Sequence, residues 1–210
     1  MKENLYRLFL KTISIPYVQV GKSYNYQVEV NDSKLTVYFE DSNGKTDWKN
    51  NLDFPVKAHK RKNDVTWLVH RGFLNEWQAL EPILSFYLLN KNIKEITISG
   101  YSHGAAIALL CHEYAYYYRP DLRDKLFGYG FGCPRVYWGL KRNEILKRFK
   151  NFTVIRNVND IVTRLPPIFL GYSHVGRVLE IGERGKYSDV EAHFSDNILK
   201  ELKIYEEKTR

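Results

Sequence analysis

The pattern of apolar and polar positions along the chain predicts strands that alternate with helices. Short runs of β-branched and aromatic residues predict strands at residues 26–30, 35–39, 65–70, 96–99, 126–132, 152–156 and 175–181. Apolar residues at helical spacing predict helices at residues 5–10, 72–90, 103–118, 140–149 and 189–210, with a kink or a break near Pro82. The alternation indicates an α/β fold with a mainly parallel central sheet and helices on both of its faces.

A glycine-rich turn between one of these strands and the next helix is the strongest candidate for chemistry. Ser102 lies at its centre, with Gly100 two residues before it and Gly104 two residues after it. Glycines at these positions let strand and helix approach closely while the serine adopts a strained backbone, as in a nucleophile elbow. The amide of His103, at the helix N-terminus, could then donate to an oxyanion. An ordinary tight turn is the alternative interpretation.

A serine nucleophile needs a histidine base and a carboxylate, and the chain offers both. Asp160 follows the predicted strand at residues 152–156, so it falls at the same carboxyl edge of the sheet as Ser102. His193 comes later, and the order Ser102, Asp160, His193 is the one that α/β-hydrolases use. His174 remains an alternative for the base. Asp189 and Asp196 are alternatives for the acid, but each is too close in sequence to His193 to be a separate residue at the end of a strand.

Composition and net charge limit what kind of protein this is and which classes of molecule it is expected to bind. The chain has 210 residues, 44% of them hydrophobic, so it can bury a core, and we predict one domain over residues 1–210. A formal net charge of +8 favours anionic partners. Nucleic acid is disfavoured because no nucleic-acid-binding motif is recognised, which leaves peripheral contact with an anionic membrane as the preferred interpretation. Two cysteines, Cys111 and Cys133, provide neither a disulfide framework nor a metal cluster.

The first residues lack the features of a secretory signal. Lys2, Glu3 and Arg7 interrupt the apolar positions there, so a continuous apolar segment is missing. The sequence also predicts no transmembrane helix. We therefore expect a cytoplasmic location, with export by another route left open.

Several short motifs occur in an order that is typical of one enzyme family. They are Phe-Glu-Asp-Ser at 39–42, Asp-Trp at 47–48, Val-His-Arg-Gly-Phe at 69–73, the turn around Ser102, Phe-Gly-Cys-Pro-Arg-Val at 131–136, Asn-Asp-Ile-Val at 159–162 and Tyr-Ser-His-Val-Gly at 172–176. Each motif alone is weak, but together they cover most of the chain, from residue 35 to residue 193. The chain resembles the class 3 lipases, a family of α/β-hydrolases known best from fungal triacylglycerol lipases.

The resemblance implies an α/β-hydrolase fold and a serine hydrolase that cleaves carboxylic esters. The expected substrates are lipid acyl esters, as in a lipase or phospholipase, or small esters. Ser102 is then the nucleophile, Asp160 the acid and His193 the base, while His174 belongs to a structural motif. The reaction passes through an acyl-enzyme on Ser102 and needs no metal or organic cofactor.

The resemblance also implies an oxyanion hole and a lid. Ser42 takes the place of the first oxyanion-hole residue, and the amide of His103 is the second donor. Residues 43–56 take the place of a short lid. Within the lid, an apolar face at roughly helical spacing is formed by Trp48, Leu52 and Phe54.

The chain departs from the family pattern directly before the oxyanion residue. Glu40 and Asp41 precede Ser42, where the family usually has Arg-Gly. A carboxylate at this place would oppose the negative charge that develops in the reaction, unless it points outward. One alternative is therefore a binding or scaffold protein with a relict triad. Another is an acyltransferase or thioesterase that uses the same acyl-enzyme.

Overall fold

The computed structural model of the protein describes residues 4–21, 24–41, 55–60, 66–139 and 143–209. The α-helices in these ranges are α1 (Leu5–Ser14), α2 (Arg71–Leu88), α3 (His103–Tyr118), α4 (Asn143–Arg148) and α5 (Ser195–Thr209). Short 3₁₀ turns occur at Pro120–Lys125, Val162–Arg164, Ile168–Leu170 and Glu191–His193. None of the described helices is long and apolar enough to cross a bilayer.

The strands of the described residues form two sheets. In chain order they are β1 (Val18–Val20), β2 (Tyr24–Asn31), β3 (Lys34–Phe39), β4 (Val56–Lys60), β5 (Thr66–His70), β6 (Glu95–Tyr101), β7 (Leu126–Phe131), β8 (Tyr137–Trp138), β9 (Phe152–Asn157), β10 (Tyr172–Ser173) and β11 (Arg177–Ile181). The larger sheet has the order β1-β2-β3-β6-β7-β9-β11. Its first two pairs are antiparallel and the other four are parallel, so the predicted mainly parallel sheet is confirmed.

Alternate residues of the strands in the larger sheet belong to two different apolar clusters. This division shows that helices cover both faces of the sheet. Val37 of β3 packs with the buried side of α2 and with α3, whereas its neighbour Tyr38 packs with α1 and α5. Along β9, Val154 and Ile155 divide between the two clusters in the same way. This period of two is what a strand buried on both faces requires.

The register of the parallel strands brings four loops to one edge of the sheet. Phe39 at the end of β3 pairs with Gly100 of β6, and Phe131 at the end of β7 pairs with Tyr101 of β6 and Ile155 of β9. The segments that follow β3, β6, β7 and β9 therefore leave from neighbouring positions at the carboxyl edge. This edge is where sites of parallel α/β sheets lie.

A smaller antiparallel sheet, in the order β10-β8-β5-β4, was not predicted apart from β5. Two of its strands have only two residues each, too few to show a period. The strand β4 reads Val-Lys-Ala-His-Lys, whose polar composition gives a weak strand signal. The pairing depends on contacts between segments that are distant in sequence.

The structure corrects the prediction of a break at Pro82. Helix α2 continues through this residue without interruption. Pro82 and Gln78, the residue whose carbonyl loses its amide partner, are both exposed, whereas Leu80 and Leu84 are fully buried. Burial of the apolar side thus maintains the helix.

Two predicted segment boundaries also differ from the structure. Helix α5 begins at Ser195, and residues Glu191–His193 before it form a 3₁₀ turn, so His193 lies outside the helix. The predicted lid extended to residue 56, but Val56 begins β4. Residues 43–54 of the predicted lid lie outside the described residues.

Candidate active site

The turn around Ser102 has the strained geometry that its sequence predicts. Ser102 has φ 54° and ψ −119°, a positive φ that costs a residue other than glycine about 1–3 kcal/mol. A Cβ atom on Gly100 would lie 2.3 Å from the carbonyl oxygen of Gly104. A Cβ atom on Gly104 would lie 2.3 Å from the carbonyl oxygen of Glu40. Both glycines are therefore needed for the close approach of β3, β6 and α3.

The structure brings Ser102, His193 and Asp160 together at hydrogen-bond distance. Nε2 of His193 lies 2.8 Å from Oγ of Ser102, and Nδ1 lies 2.9 Å from Oδ2 of Asp160. A carboxylate is an acceptor only, so Nδ1 carries a proton and donates it to Asp160. Nε2 is then free to accept the hydroxyl proton of Ser102. The arrangement can activate the serine as a nucleophile.

Burial and hydrogen bonds fix the Asp160 carboxylate. The residue is fully buried, and its Oδ1 accepts the amide of Val162 at 2.9 Å. The hydroxyl of Thr163 donates to the Asp160 carbonyl at 2.8 Å, and Nε2 of His174 donates to the Thr163 carbonyl at 2.7 Å. His174 thus stabilises the loop that carries Asp160.

The alternative acids have different places in the structure. The backbone carbonyl of Asp189 accepts the amide of Ile161 at 3.1 Å, and the side chain of Asp196 is exposed on α5. Asp160 is the carboxylate hydrogen-bonded to Nδ1 of His193.

Sequence reasoning missed two residues that hold His193 in place. The hydroxyl of Tyr101 donates to the His193 carbonyl at 2.6 Å, and the two rings stack with centroids 5.3 Å apart. Burial raises the pKa of Tyr101, so its hydroxyl stays protonated as a donor. At Gly132, a Cβ atom would lie 2.7 Å from Cε1 of His193, so only glycine leaves room for the ring. Both residues lie in motifs noted in the sequence, but their contacts depend on the register of β6 and β7.

His103 takes part through its backbone, as expected. Its ring contacts α2, where Nε2 lies 2.5 Å from Oε2 of Glu76. Its backbone amide is at the first residue of α3, near the carboxyl of Asp41.

Asp41 is the third group that sequence reasoning did not assign to the site. Its carboxyl lies near the Ser102 side chain and the His103 amide, and its Oδ1 is buried without a hydrogen-bond partner among the described residues. Burial raises the pKa of the Asp41 carboxyl above its ordinary value, although the neighbouring His193, Ser102 and His103 oppose the rise. Glu40 points elsewhere, since Nδ2 of Asn25 donates to its Oε2 at 2.5 Å.

The other predicted site residues cannot be placed relative to Ser102. Ser42, the predicted first oxyanion residue, lies outside the described residues, as do the predicted lid residues Trp48, Leu52 and Phe54. Their roles stay predictions.

Comparisons with known proteins find lipases that are similar to this chain in sequence or in fold. The lipase of Rhizomucor miehei is 29% identical over 159 residues, which cover 72% of this chain and 43% of that lipase. The crystal structure of a lipase from Rhizopus microsporus var. chinensis matches 90% of this chain and 71% of its own chain, with a TM-score of 0.66 and 21% identity. A triacylglycerol lipase described as having a serine protease triad matches 87% of this chain and 75% of its own chain, with a TM-score of 0.60 and 22% identity.

These likenesses confirm the predicted α/β-hydrolase fold. The chain spans less than half the length of the Rhizomucor miehei lipase. A family model described as Lipase (class 3) matches residues 36–170, which is well over half of the 210 residues. The resemblance inferred from the motifs is thereby confirmed, and the chain belongs to the class 3 lipase family.

Proposed function

We propose that the protein is a serine hydrolase that cleaves carboxylic esters, with lipid acyl esters as its substrates. The observation that carries the proposal is the hydrogen-bonded series from Ser102 through His193 to Asp160, with links of 2.8 and 2.9 Å. Membership of the class 3 lipase family, and a relative of the same fold that is a triacylglycerol lipase, support the choice of substrate.

In the first half of the reaction, Oγ of Ser102 attacks the ester carbonyl carbon and its proton passes to Nε2 of His193. Asp160 stabilises the imidazolium that forms. The oxygen of the tetrahedral intermediate needs hydrogen-bond donors, and the amide of His103, the residue directly after the nucleophile, is the expected one. When the intermediate collapses, the bond to the alcohol breaks and His193 gives its proton to the leaving alcohol.

In the second half, water replaces the alcohol. His193 takes a proton from water as the water attacks the acyl carbon, and the bond to Oγ of Ser102 breaks. His193 then returns the proton to Ser102, and the carboxylic acid leaves. The same acyl-enzyme could pass its acyl group to another acceptor, so the products must be identified directly.

The test is hydrolysis of p-nitrophenyl esters of graded acyl length, with the released acid identified by mass spectrometry. Ser85→Ala is the matched control for Ser102→Ala, because Ser85 lies on α2 and donates to the Pro82 carbonyl, away from the site. We expect the wild type and Ser85→Ala to release free acid and Ser102→Ala to lose this activity. Equal activity of Ser102→Ala and the wild type would contradict the proposal.

We also propose that the protein binds anionic lipid surfaces while it acts. Three consecutive apolar residues, Ile168, Phe169 and Leu170, are 68%, 86% and 43% exposed. Their 3₁₀ turn is fixed to β8, since Trp138 Nε1 donates to the Leu170 carbonyl at 2.7 Å. The segments that carry Trp138 and Leu170 follow β7 and β9, which both end at the edge of the larger sheet where Ser102 lies. The net charge of +8 favours anionic headgroups around such an apolar contact.

Vesicle sedimentation tests the surface separately from catalysis. We expect Phe169→Ser to bind anionic phosphatidylglycerol vesicles less tightly than the wild type, and added salt to weaken binding of both. Phe86→Ser is the matched control, because Phe86 is 78% exposed on α2, beyond the buried Leu84 and far from residues 168–170 in sequence. Equal losses in both variants, or binding that is insensitive to salt, would contradict the proposal.

A further inference from the structure

Helix α2 packs beside the turn that carries Ser102 and contacts the next residue, His103, at two points. Nε2 of His103 lies 2.5 Å from Oε2 of Glu76. The rings of His103 and Phe73 meet edge to face, with centroids 5.1 Å apart and planes at 75°. Phe73 and Glu76 are three positions apart on α2, so they share one face of that helix. The His103 ring is therefore fixed to α2 by one polar and one aromatic contact.

The polar contact is partly shielded from water. The side chains of His103 and Glu76 are 23% and 13% exposed, and Phe73 beside them is buried against the ring of His70, with centroids 4.4 Å apart. A carboxylate is an acceptor only, so Nε2 of His103 carries a proton and donates it to Glu76. A hydrogen bond to a charged acceptor is stronger than a neutral one, and shielding protects it from screening by salt. The bond can therefore hold the ring in one place.

The backbone amides around Ser102 show why the position of His103 matters for the reaction. The amide of Ser102 donates to the Phe131 carbonyl at 2.8 Å, so the nucleophile's own amide is not available to an oxyanion. The next amide is that of His103, the first residue of α3 and the expected donor. Such a donor is effective only at about 2.7–3.1 Å from the oxyanion, so its direction has to be maintained.

The backbone directly before this amide is strained. Ser102 has φ 54°, a conformation that persists only where the surrounding structure enforces it. The strand β3 contributes through Gly104, where a Cβ atom would lie 2.3 Å from the Glu40 carbonyl oxygen. The helix α2 contributes through the contact of Glu76 with the His103 ring. The first turn of α3 is thus held by β3 and by α2.

Building on the proposed function, we propose that Glu76 is a positioning residue for the oxyanion site. Its carboxylate holds the ring of His103, and with it the first residue of α3, so that the His103 amide keeps the direction that the tetrahedral intermediate requires. Glu76 acts through His103, without contact to the reacting atoms. Loss of the contact therefore weakens stabilisation of the transition state and leaves binding of the substrate unchanged.

Steady-state hydrolysis of a p-nitrophenyl ester tests this role. In Glu76→Ala we expect kcat to fall about tenfold with KM unchanged, a smaller loss than the one of about 100-fold or more that follows removal of an oxyanion donor. Glu76→Gln should keep most of the wild-type kcat, since its amide oxygen can still accept the proton of Nε2. Gln78→Ala is the matched control and should equal the wild type, because Gln78 lies on the same helix but accepts from Lys57 of β4.

A thionoester gives a second readout, which a merely structural role would not move. Sulfur replaces the carbonyl oxygen in this analogue and is a larger and weaker acceptor, so a working oxyanion site prefers the oxygen ester. We expect this preference, the ratio of kcat/KM for the two esters, to shrink in Glu76→Ala and in His103→Leu but not in Gln78→Ala. Unchanged kcat in Glu76→Ala, or a lower kcat with an unchanged preference, would overturn the proposal.

Urea unfolding of the same variants separates failure of this proposal from failure of the proposed function. The contact between Glu76 and His103 stabilises the fold whatever the chain catalyses, so the stability losses of Glu76→Ala and His103→Leu should not add in the double variant. If the proposed function is wrong, Ser102-dependent hydrolysis is absent from the wild type, which overturns both proposals, and only this coupling remains. If the positioning role alone is wrong, hydrolysis depends on Ser102 and Glu76→Ala is as active as the wild type. Fully additive losses would contradict the contact itself.

Discussion

The two sides of Ser102 differ in how ready they are for catalysis. On one side, His193 and Asp160 form the hydrogen bonds that general-base catalysis requires, at 2.8 and 2.9 Å. On the other side, the amide of His103 is the expected oxyanion donor, and the carboxyl of Asp41 lies near it with a pKa that burial raises. The acid–base side is therefore assembled in this structure, whereas the oxyanion side contains a carboxyl that would oppose the developing negative charge if it were ionised.

The largest expected effect concerns the acid–base side. In Asp160→Asn, the side-chain amide can donate to His193 and favour the wrong tautomer, so kcat for ester hydrolysis should fall about 10⁴-fold. Asp189→Asn is the control, since Asp189 contributes only a backbone carbonyl to Ile161. Steady-state kinetics on one p-nitrophenyl ester measures both. A fall of less than tenfold in Asp160→Asn would contradict the role of Asp160 in orienting His193, and so the claim that the acid–base side of Ser102 is assembled.

Gly132→Ala should have the next largest effect. The new Cβ atom would lie 2.7 Å from the His193 ring and force it to move, and a displacement of about 1 Å can lower the rate about 100-fold. Gly139→Ala is matched for backbone strain, because Gly139 also has a positive φ, of 106°, but has open space where a Cβ atom would be. Equal losses of kcat in the two variants would assign the effect to strain rather than to His193.

A smaller effect is expected for Tyr101→Phe. The change removes one hydrogen bond to the His193 carbonyl, worth about 1 kcal/mol, and keeps the stacked ring. We expect kcat to fall by less than about tenfold with KM unchanged, because the ring of His193 is less well positioned. An increase in KM alone would indicate a role in substrate binding instead.

The smallest effect on activity is expected for a buried histidine outside the site. Burial lowers the pKa of His112 to about 4, so the unfolded chain binds a proton there between about pH 6.5 and about pH 4 and the folded chain does not. The wild type should therefore lose about 3 kcal/mol of unfolding free energy as pH falls through this range. In His112→Gln, urea unfolding should show less of this loss, with labelling at Ser102 unchanged at neutral pH. An unchanged pH dependence would exclude His112 as the cause.

Much of the fold and of the acid–base side follows from local sequence signals. Gly100 and Gly104 indicate the turn around Ser102, because no other residue allows backbone atoms to approach this closely. Asp160 and His193 could be chosen by chain order, although spacing alone left His174 as an alternative. His174 lies in one of the family motifs, although its hydrogen bond is to the Thr163 carbonyl and not to Ser102. This bond accounts for the presence of the histidine in the motif.

The oxyanion side could not be predicted from local signals. The sequence shows two neighbouring carboxylates, Glu40 and Asp41, and side-chain direction alternates along an extended chain. Which of them faces Ser102 depends on the register of β3 against β6, a contact between segments about 60 residues apart. The smaller sheet was missed for the same reason. Its short strands carry little pattern of their own and are recognised only by their pairing with segments that are distant in sequence.

The assignment of Ser102 and His193 is tested most directly by covalent labelling with a fluorophosphonate, read by intact mass in the wild type, Ser102→Ala, His193→Ala and His174→Ala. We expect one adduct on the wild type, none on Ser102→Ala and labelling at least about 100-fold slower on His193→Ala. His174→Ala should keep Ser102-dependent labelling, since its ring contacts the Thr163 carbonyl and not Ser102. An adduct on Ser102→Ala, or His193→Ala labelling as fast as the wild type, would rule out Ser102 as the nucleophile or His193 as its base.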